Sequence, residues 1–167
     1  MRRLERSATL LRNFIFGVED SLVSTVGLLS GIALAGVPQK TILLTGVVLV
    51  FVEGFSMAAG SFLSESSVEE YEEGGVAPAQ GSLMAAVTMF LSYFLAGFIP
   101  LFPYLLWPAA AALPASVAFS IAALVILGLI SGRLTRAGMG KSAARMAVVG
   151  GLAIAVGAVA GGIVSQL

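Results

Sequence analysis

The stretch 52–73, VEGFSMAAGSFLSESSVEEYEE, decides how the rest of the chain is interpreted. Its first half continues an apolar segment, yet it contains a carboxylate, Glu53, and a thioether, Met57. These two residues are four positions apart, so on a helix they lie on one face, one turn apart. Ser61 and Glu65 continue the same stripe. Beyond them lies an acidic cluster, which comprises Glu69, Glu70, Glu72 and Glu73. Oxygen and sulfur ligands running from inside an apolar helix to its end suggest a path for an ion.

The composition places the chain in a membrane. Of its 167 residues, 58% are hydrophobic and 11% are charged, and the mean hydropathy is +1.01. Soluble domains carry about 25% charged residues, so this chain has too few to cover a water-facing surface. It contains no cysteine and no histidine, which excludes disulfides and both thiolate and imidazole metal ligands. Any metal or proton chemistry must therefore use carboxylates, methionine, hydroxyls and backbone carbonyls.

The apolar runs and their breakers predict an all-α membrane protein with five transmembrane helices, in a single domain over 1–167. A spanning helix needs about 20 apolar residues, and the predicted spans are 13–35, 41–63, 82–99, 115–134 and 143–163. Residues 36–38 predict a tight turn, and residues 64–81 an acidic cytoplasmic extension of the second helix followed by a loop. The prolines of 100–114 predict a second loop, with Tyr104 and Trp107 at the membrane interface.

The basic residues predict the orientation. Five spans put the N-terminus and the loops after spans two and four on one side. That side holds eight of the nine basic residues: Arg2, Arg3, Arg6, Arg12, Arg133, Arg136, Lys141 and Arg145. Lys40 alone lies on the other. The N-terminus is therefore predicted to be cytoplasmic, and the C-terminus outside or lumenal.

Two glycine pairs with i, i+4 spacing occur late in the chain. Gly128 and Gly132 form one pair, and Gly157 and Gly161 form the other. Such pairs let helix backbones approach closely. Both tight packing within one bundle and a contact between two copies of the chain fit this pattern.

Three carboxylates fall within the predicted spans: Glu19, Asp20 and Glu53. Each costs about 2.5–3.5 kcal/mol at the centre of a membrane helix on insertion scales, so each needs a partner or a function. Glu19 fits either a pairing with a cytoplasmic arginine or a functional role. Asp20 has Ser24 on its face one turn later, a pattern typical of a wet path that binds ions or protons.

The pair Glu53 and Met57 indicates a transition metal. Carboxylate oxygen is a hard ligand and thioether sulfur is a soft one, a mixture that suits Fe²⁺, with Mn²⁺, Co²⁺ or Zn²⁺ as rivals. Protons can occupy the carboxylates of Asp20 and Glu53 once a cation leaves, which predicts exchange of metal for protons. Ser24 and Ser61 are predicted to line the path, with Glu65 as a further ligand. The acidic cluster is either a solvated helix end or a site of cytoplasmic metal capture.

Two segments resemble the signature segments of the vacuolar iron transporter family: DSLVSTVGLLSG at 20–31 and EGFSMAAGSFLSESS at 53–67. The resemblance implies a homodimer that moves Fe²⁺, and often Mn²⁺, out of the cytosol in exchange for protons. It also implies that Asp20 and Met57 bind the metal near the subunit interface. Here Ser21, Glu53 and Ser61 stand where the family usually has glycine, glycine and glutamate. The segment 66–81 is too short for the glutamate-rich cytoplasmic domain of larger members.

These observations favour a divalent transition-metal transporter in the plasma membrane of a prokaryote or a vacuolar-type membrane of a eukaryote. They predict no prosthetic group, no enzymatic activity and no nucleic-acid partner. Two alternatives remain: a non-transporting membrane scaffold, whose span carboxylates would need Arg or Lys partners, and an exporter of organic cations. The exporter would need aromatic side chains facing a carboxylate, for which Phe16, Phe51 and Phe55 are the candidates. The sharpest expectation is that Asp20, Glu53 and Met57 meet in one cavity.

Overall fold

The computed structural model describes residues 2–75 and 80–166, without the side chains of residues 2–5. In these residues the chain forms five α-helices: α1 (Arg2–Leu34), α2 (Gln39–Glu73), α3 (Gln80–Leu106), α4 (Ala109–Leu134) and α5 (Met139–Val164). All five are long and apolar enough to cross a membrane. Many of their large apolar side chains are exposed on the surface of the bundle, as expected for a protein surrounded by lipid. The predicted all-α, five-helix architecture is therefore confirmed.

The ends of the first two helices follow the predicted breakers. Gly36 adopts a left-handed conformation with φ 74° between α1 and α2, and Pro38 precedes the first residue of α2. At the far end α2 continues through the acidic cluster to Glu73, as predicted. Gly74 then ends the helix with φ 68°, and its N–H is bonded to the carbonyl of Glu70. Pro78, within the predicted loop, lies outside the described residues.

Two predicted boundaries are wrong. The first helix begins well before the predicted start of the first span at residue 13, because α1 is already helical from Arg2. The predicted proline loop is also absent: Pro100 and Pro103 lie inside α3 and Pro114 lies inside α4, so only Trp107 and Pro108 separate these helices. Prolines are tolerated in membrane helices where neighbouring side chains satisfy the backbone groups that they free.

Contacts around these prolines tie three helices together. Ser116 Oγ of α4 donates a hydrogen bond of 2.7 Å to the carbonyl of Pro100. Gln39 Nε2, at the start of α2, donates to the carbonyls of Tyr104 at 2.6 Å and Trp107 at 2.9 Å. Tyr104 is fully buried rather than interfacial, which corrects its predicted place in an aromatic belt. Trp107 is 41% exposed.

Helix α1 contacts all four other helices, and most extensively α3 and α5. Its contact with α5 is made by glycines. A Cβ atom on Gly157 would overlap the backbone of Gly27, and one on Gly161 would overlap the backbone of Gly31. The other pair, Gly128 and Gly132, faces the backbone of the first turns of α5 in the same way. Both glycine pairs therefore pack within one bundle, the first of the two readings.

Candidate metal-ion path

A cleft separates the first half of α1 from the second half of α2, with α3 packed against both helices. The two helices are antiparallel neighbours, so residues early in α1 face residues late in α2. Their contact is less extensive than the contact that either makes with α3. Polar side chains bridge the cleft at several levels along the two helices. This series of polar contacts is called the ladder below, and each level of it a rung.

At the end nearest the N-terminus of α1, Glu65 joins the two helices. Its carboxylate accepts hydrogen bonds of 3.1 Å from Thr9 Oγ1 and from Arg12 Nη2, the latter an ion pair. One turn further in, Asn13 Nδ2 donates to Ser61 Oγ at 3.0 Å. Glu65 and Ser61, two of the residues predicted from sequence, thus border the cleft, where both have protein partners.

Met57 lies at the middle of the ladder. It lines a cavity of about 690 Å³ together with Asn13, Phe16, Ser61 and Met89. The cavity continues past Arg12 and Ser64, which it shares with a second cavity of about 600 Å³. Two thioethers and several polar groups therefore border one open space, with an arginine where it meets the second cavity.

Asp20 and Glu53 form the inner rung. Both carboxylates are half-buried, and Glu53 of α2 and Glu19 of α1 each add to the negative charge around Asp20. Tyr93 of α3 links the two helices: its hydroxyl donates a hydrogen bond to Glu53 Oε2 and lies 2.8 Å from Ser24 Oγ, one turn after Asp20. Neither Asp20 nor Glu53 has an Arg or Lys partner within the described residues.

The acidic cluster lies around the second cavity. Glu65, Glu69, Glu72 and Glu73 line it, together with Arg6 and Arg12 of α1. Glu69 Oε2 accepts a hydrogen bond of 2.6 Å from Ser82 Oγ, while Glu70 is exposed and does not line this space. The helix repeat brings four of the five predicted acidic residues together. Two of them already have protein partners, since Arg12 pairs with Glu65 and Ser82 donates to Glu69.

Within the described residues, no three Asp or Glu side chains converge closely enough to hold a metal ion by themselves. Asp20 and Glu53 supply two carboxylates, and Met57 lies one turn from Glu53 along α2. Any ion held here would therefore need the thioether, hydroxyls, water or a second copy of the chain to complete its coordination.

The sequence was compared with those of known proteins. The profile of the VIT family matches residues 11–80 and 72–162, which together make up nearly the whole chain. The chain belongs to the VIT family. It is 30% identical over 87% of its length to "Vacuolar iron transporter homolog 1" of Oryza sativa subsp. japonica, of which 70% is covered. It is 26% identical over 87% of its length to "Vacuolar iron transporter 1" of Tulipa gesneriana, of which 83% is covered.

The alignment with the Tulipa protein extends over 205 positions, more than the 167 residues of this VIT-family chain. The relative therefore carries internal residues that this chain lacks. The two matches to the family profile meet at 72–80, where α2 ends and the link to α3 begins. This is the place at which the sequence predicted that a cytoplasmic domain is missing.

Sequence reasoning missed three residues of the ladder. Thr9 and Arg12 lie ahead of the predicted first span and were assigned no role in the path, and Tyr93 was passed over inside an apolar span. Tyr93 could have been found, because a tyrosine hydroxyl buried in a membrane helix usually has a hydrogen-bonding partner. Its partner could not have been identified, since the contact depends on how α3 sits behind α1 and α2.

Proposed function

We propose that the chain transports a divalent transition metal, Fe²⁺ with Mn²⁺ as the rival cargo, out of the cytosol in exchange for protons. Membership of the VIT family supports metal-ion transport in a membrane. The names of two relatives, both vacuolar iron transporters or homologues of one, support iron. Export and proton exchange are the further steps that the proposal adds.

The observation that carries the proposal is the inner rung of the cleft. Tyr93 joins Glu53 of α2 to Ser24 of α1, one turn after Asp20. Neither carboxylate has a basic partner among the described residues. Two nearby carboxylates inside a membrane protein are costly while both are charged. A divalent cation between them removes this cost, and so do bound protons. The pair therefore favours two alternative occupants, which is the requirement for an exchanger.

Met57 supports a transition metal over Mg²⁺ or Ca²⁺. It stands one helical turn from Glu53 along α2 and lines the cavity of about 690 Å³, which neither Asp20 nor Glu53 lines, so the expected single cavity for all three is not seen. Thioether sulfur is a soft ligand that adds little to the binding of hard cations but stabilises borderline ones. Asp20, Glu53 and Met57 are thus the proposed metal ligands, with Ser24 and Ser61 lining the path.

The proposal extends to both ends of the path. Glu65, Glu69, Glu70, Glu72 and Glu73 would attract cations to the cytoplasmic mouth. The excess of Lys and Arg on the side of the N-terminus supports a cytoplasmic N-terminus. A homodimer is proposed from the family resemblance, and the incomplete set of acidic ligands in one copy is consistent with it. The proposed location is the plasma membrane in a prokaryote or a vacuolar-type membrane in a eukaryote.

The two alternatives find less support. A scaffold whose span carboxylates lock helices together would pair them with Arg or Lys, and Asp20 and Glu53 have no such partner among the described residues. An organic-cation exporter needs aromatic rings around the carboxylates. Phe51 instead packs edge-to-face on Phe94 with ring centroids 5.0 Å apart, and Phe55 is 71% exposed.

The test is Fe²⁺ uptake, under reducing conditions, into proteoliposomes that contain a pH-sensitive dye. Wild-type protein should couple metal uptake to proton movement, and Asp20→Asn should lose both while remaining folded and inserted. Arg145→Gln, which removes an exposed charge on α5 outside the cleft, is the control and should retain both. A folded wild-type protein that moves neither Fe²⁺ nor Mn²⁺ would contradict the proposal.

A further inference from the structure

We infer that Tyr93 is a positioning residue for the metal site: its hydroxyl holds the carboxylate of Glu53 so that one oxygen faces a cation beside Asp20. The inference rests on the proposed function and deepens it. It adds a residue of α3 to a site whose predicted members all belong to α1 and α2. The support is geometric and comes from three hydrogen bonds of one residue, two at its hydroxyl and one at its backbone carbonyl.

Tyr93 is fixed in position by contacts with α1 and α2. Its side chain is fully buried, and its backbone carbonyl accepts a hydrogen bond of 2.6 Å from Ser21 Oγ of α1. Its ring lies beside Gly54 of α2, where an added Cβ would be 3.5 Å from Cδ1. A residue fixed to both helices in this way can define where its hydroxyl lies between them.

The Tyr93 hydroxyl can donate its proton to only one acceptor. A phenol carries a single proton, and a charged carboxylate can only accept a hydrogen bond. When Tyr93 donates to Glu53 Oε2, the 2.8 Å contact with Ser24 must therefore be a bond donated by Ser24. The result is a directed chain from Ser24 of α1 through Tyr93 of α3 to Glu53 of α2. Oε2 is the only Glu53 oxygen with a hydrogen bond in the described part of the chain, which leaves Oε1 for a cation.

A hydrogen bond of this kind matters for metal binding. Groups that orient a metal ligand from behind contribute about 10- to 100-fold to metal affinity. The Tyr93 hydroxyl limits the rotation of the Glu53 carboxylate, so less ordering is left for the moment of binding. Its removal should therefore weaken binding more than it slows the transport step.

A matched control lies on the same helix. Tyr104 is also fully buried in α3, and its hydroxyl is a buried group without a hydrogen-bonding partner among the described residues. Tyr93→Phe and Tyr104→Phe thus make the same chemical change in the same helix. Only the first removes a contact with Glu53.

The experiment measures Mn²⁺ binding to purified protein and the concentration dependence of Mn²⁺ uptake into proteoliposomes. Mn²⁺ is the probe because it is stable in air and detectable by electron paramagnetic resonance. Tyr93→Phe should raise both the Kd and the KM about tenfold and leave the maximal rate nearly unchanged. Tyr104→Phe should match the wild type. Equal behaviour of the two variants, or a lower maximal rate at unchanged KM, would overturn the inference.

A double-mutant cycle with Glu53→Gln tests whether Tyr93 acts through Glu53. In the Glu53→Gln background, Tyr93→Phe should have less than a twofold further effect on Kd, because the oriented carboxylate is already gone. An undiminished tenfold effect would contradict a role through Glu53. The two proposals fail differently. Wild-type protein that neither binds nor moves metal overturns both, whereas normal wild-type transport with an unaffected Tyr93→Phe overturns this one alone.

Discussion

Two stretches of α1 differ in how they meet their neighbours. From Thr9 to Ser24 the helix faces α2 across a polar cleft, and side-chain hydrogen bonds bridge the gap. At Gly27 and Gly31 it meets the backbone of α5 directly, with no room for a side chain. Asp20 and Gly27 are seven residues apart, which places them on nearly the same side of the helix, two turns apart.

The difference teaches how one membrane helix serves both structure and transport. Small residues let two backbones close on each other, and van der Waals contact then holds the helices without polar groups. Polar residues keep the backbones apart and leave space that water or an ion can enter. The cavity along α1 extends as far as Phe16, one turn before Asp20, and two turns after Asp20 α5 covers the same side of the helix.

The glycine contact should be the most sensitive part of the fold. Gly161→Leu would drive a side chain into the backbone of Gly31, and helix backbones cannot yield as a flexible side chain can. Overpacking of this kind costs about 1–3 kcal/mol or more. We expect loss of the folded protein or a large fall in its apparent Tm. Circular dichroism in detergent measures this change.

The neighbouring glycine is the control. A Cβ on Gly162 would meet nothing within 4 Å, so Gly162→Leu should keep a Tm near that of the wild type. Similar destabilisation by both substitutions would show that α5 does not pack on α1 through this face.

Much of the fold could be predicted from the sequence because its signals are local. Apolar length sets five helices, Gly36 and Pro38 set the first turn, and Gly74 ends α2. The prolines of α3 and α4 misled the prediction because their effect is not local. Ser116 of α4 donates to the carbonyl of Pro100, and no rule applied along α3 alone reveals that contact.

The positions of the candidate site residues along each helix were predictable, but the contacts between residues of different helices were not. Four-residue spacing put Glu53 and Met57 on one face, and the cost of burying charge singled out Asp20. That Asp20 and Glu53 approach each other depends on the register of α1 against α2. That Tyr93 joins Glu53 to Ser24 depends on the position of α3. Both are tertiary facts, which spacing within a single helix cannot supply.

Within the polar cleft, substitution of Met57 should have the largest effect on the selectivity between Fe²⁺ and Mn²⁺. Met57→Leu keeps the side-chain volume and removes the sulfur. We expect the KM for Fe²⁺ to rise roughly tenfold, equivalent to about 1.4 kcal/mol of binding free energy. The KM for Mn²⁺, a harder ion, should rise less. Competition between the two ions in proteoliposome uptake measures the difference.

Met139→Leu is the matched control for Met57, since Met139 is exposed at the start of α5 and lies outside the cleft. It should leave both KM values unchanged. Equal losses for Fe²⁺ and Mn²⁺ in Met57→Leu would indicate that Met57 shapes the cleft without binding the ion through sulfur.

A smaller effect is expected at Arg12, which borders both cavities and pairs with Glu65 at 3.1 Å. Its positive charge opposes an entering cation, and its ion pair occupies Glu65. Arg12→Gln should raise the initial uptake rate roughly threefold at low ionic strength and less at high salt, which screens charges. Because the pair is partly exposed, stability should change by less than about 1 kcal/mol.

For Arg12 the control is again Arg145→Gln, which removes the same charge from α5. It should not change the uptake rate. An unchanged or slower rate in Arg12→Gln at low salt would mean that this arginine does not obstruct the path.

The smallest effect compares two serines of α1. Ser21 Oγ donates to the backbone carbonyl of Tyr93 at 2.6 Å, whereas Ser30 Oγ is buried without a partner among the described residues. Ser21→Ala should lower the free energy of unfolding by about 0.6 kcal/mol, the average for a hydrogen bond between membrane helices. Ser30→Ala should be neutral or stabilising, because it removes a polar atom that gains nothing from its burial. Equilibrium unfolding in mixed micelles resolves the difference. If Ser30→Ala proves the more damaging, the hydroxyl of Ser30 has a partner, and the closely packed half of α1 is more polar than the glycine contact suggests.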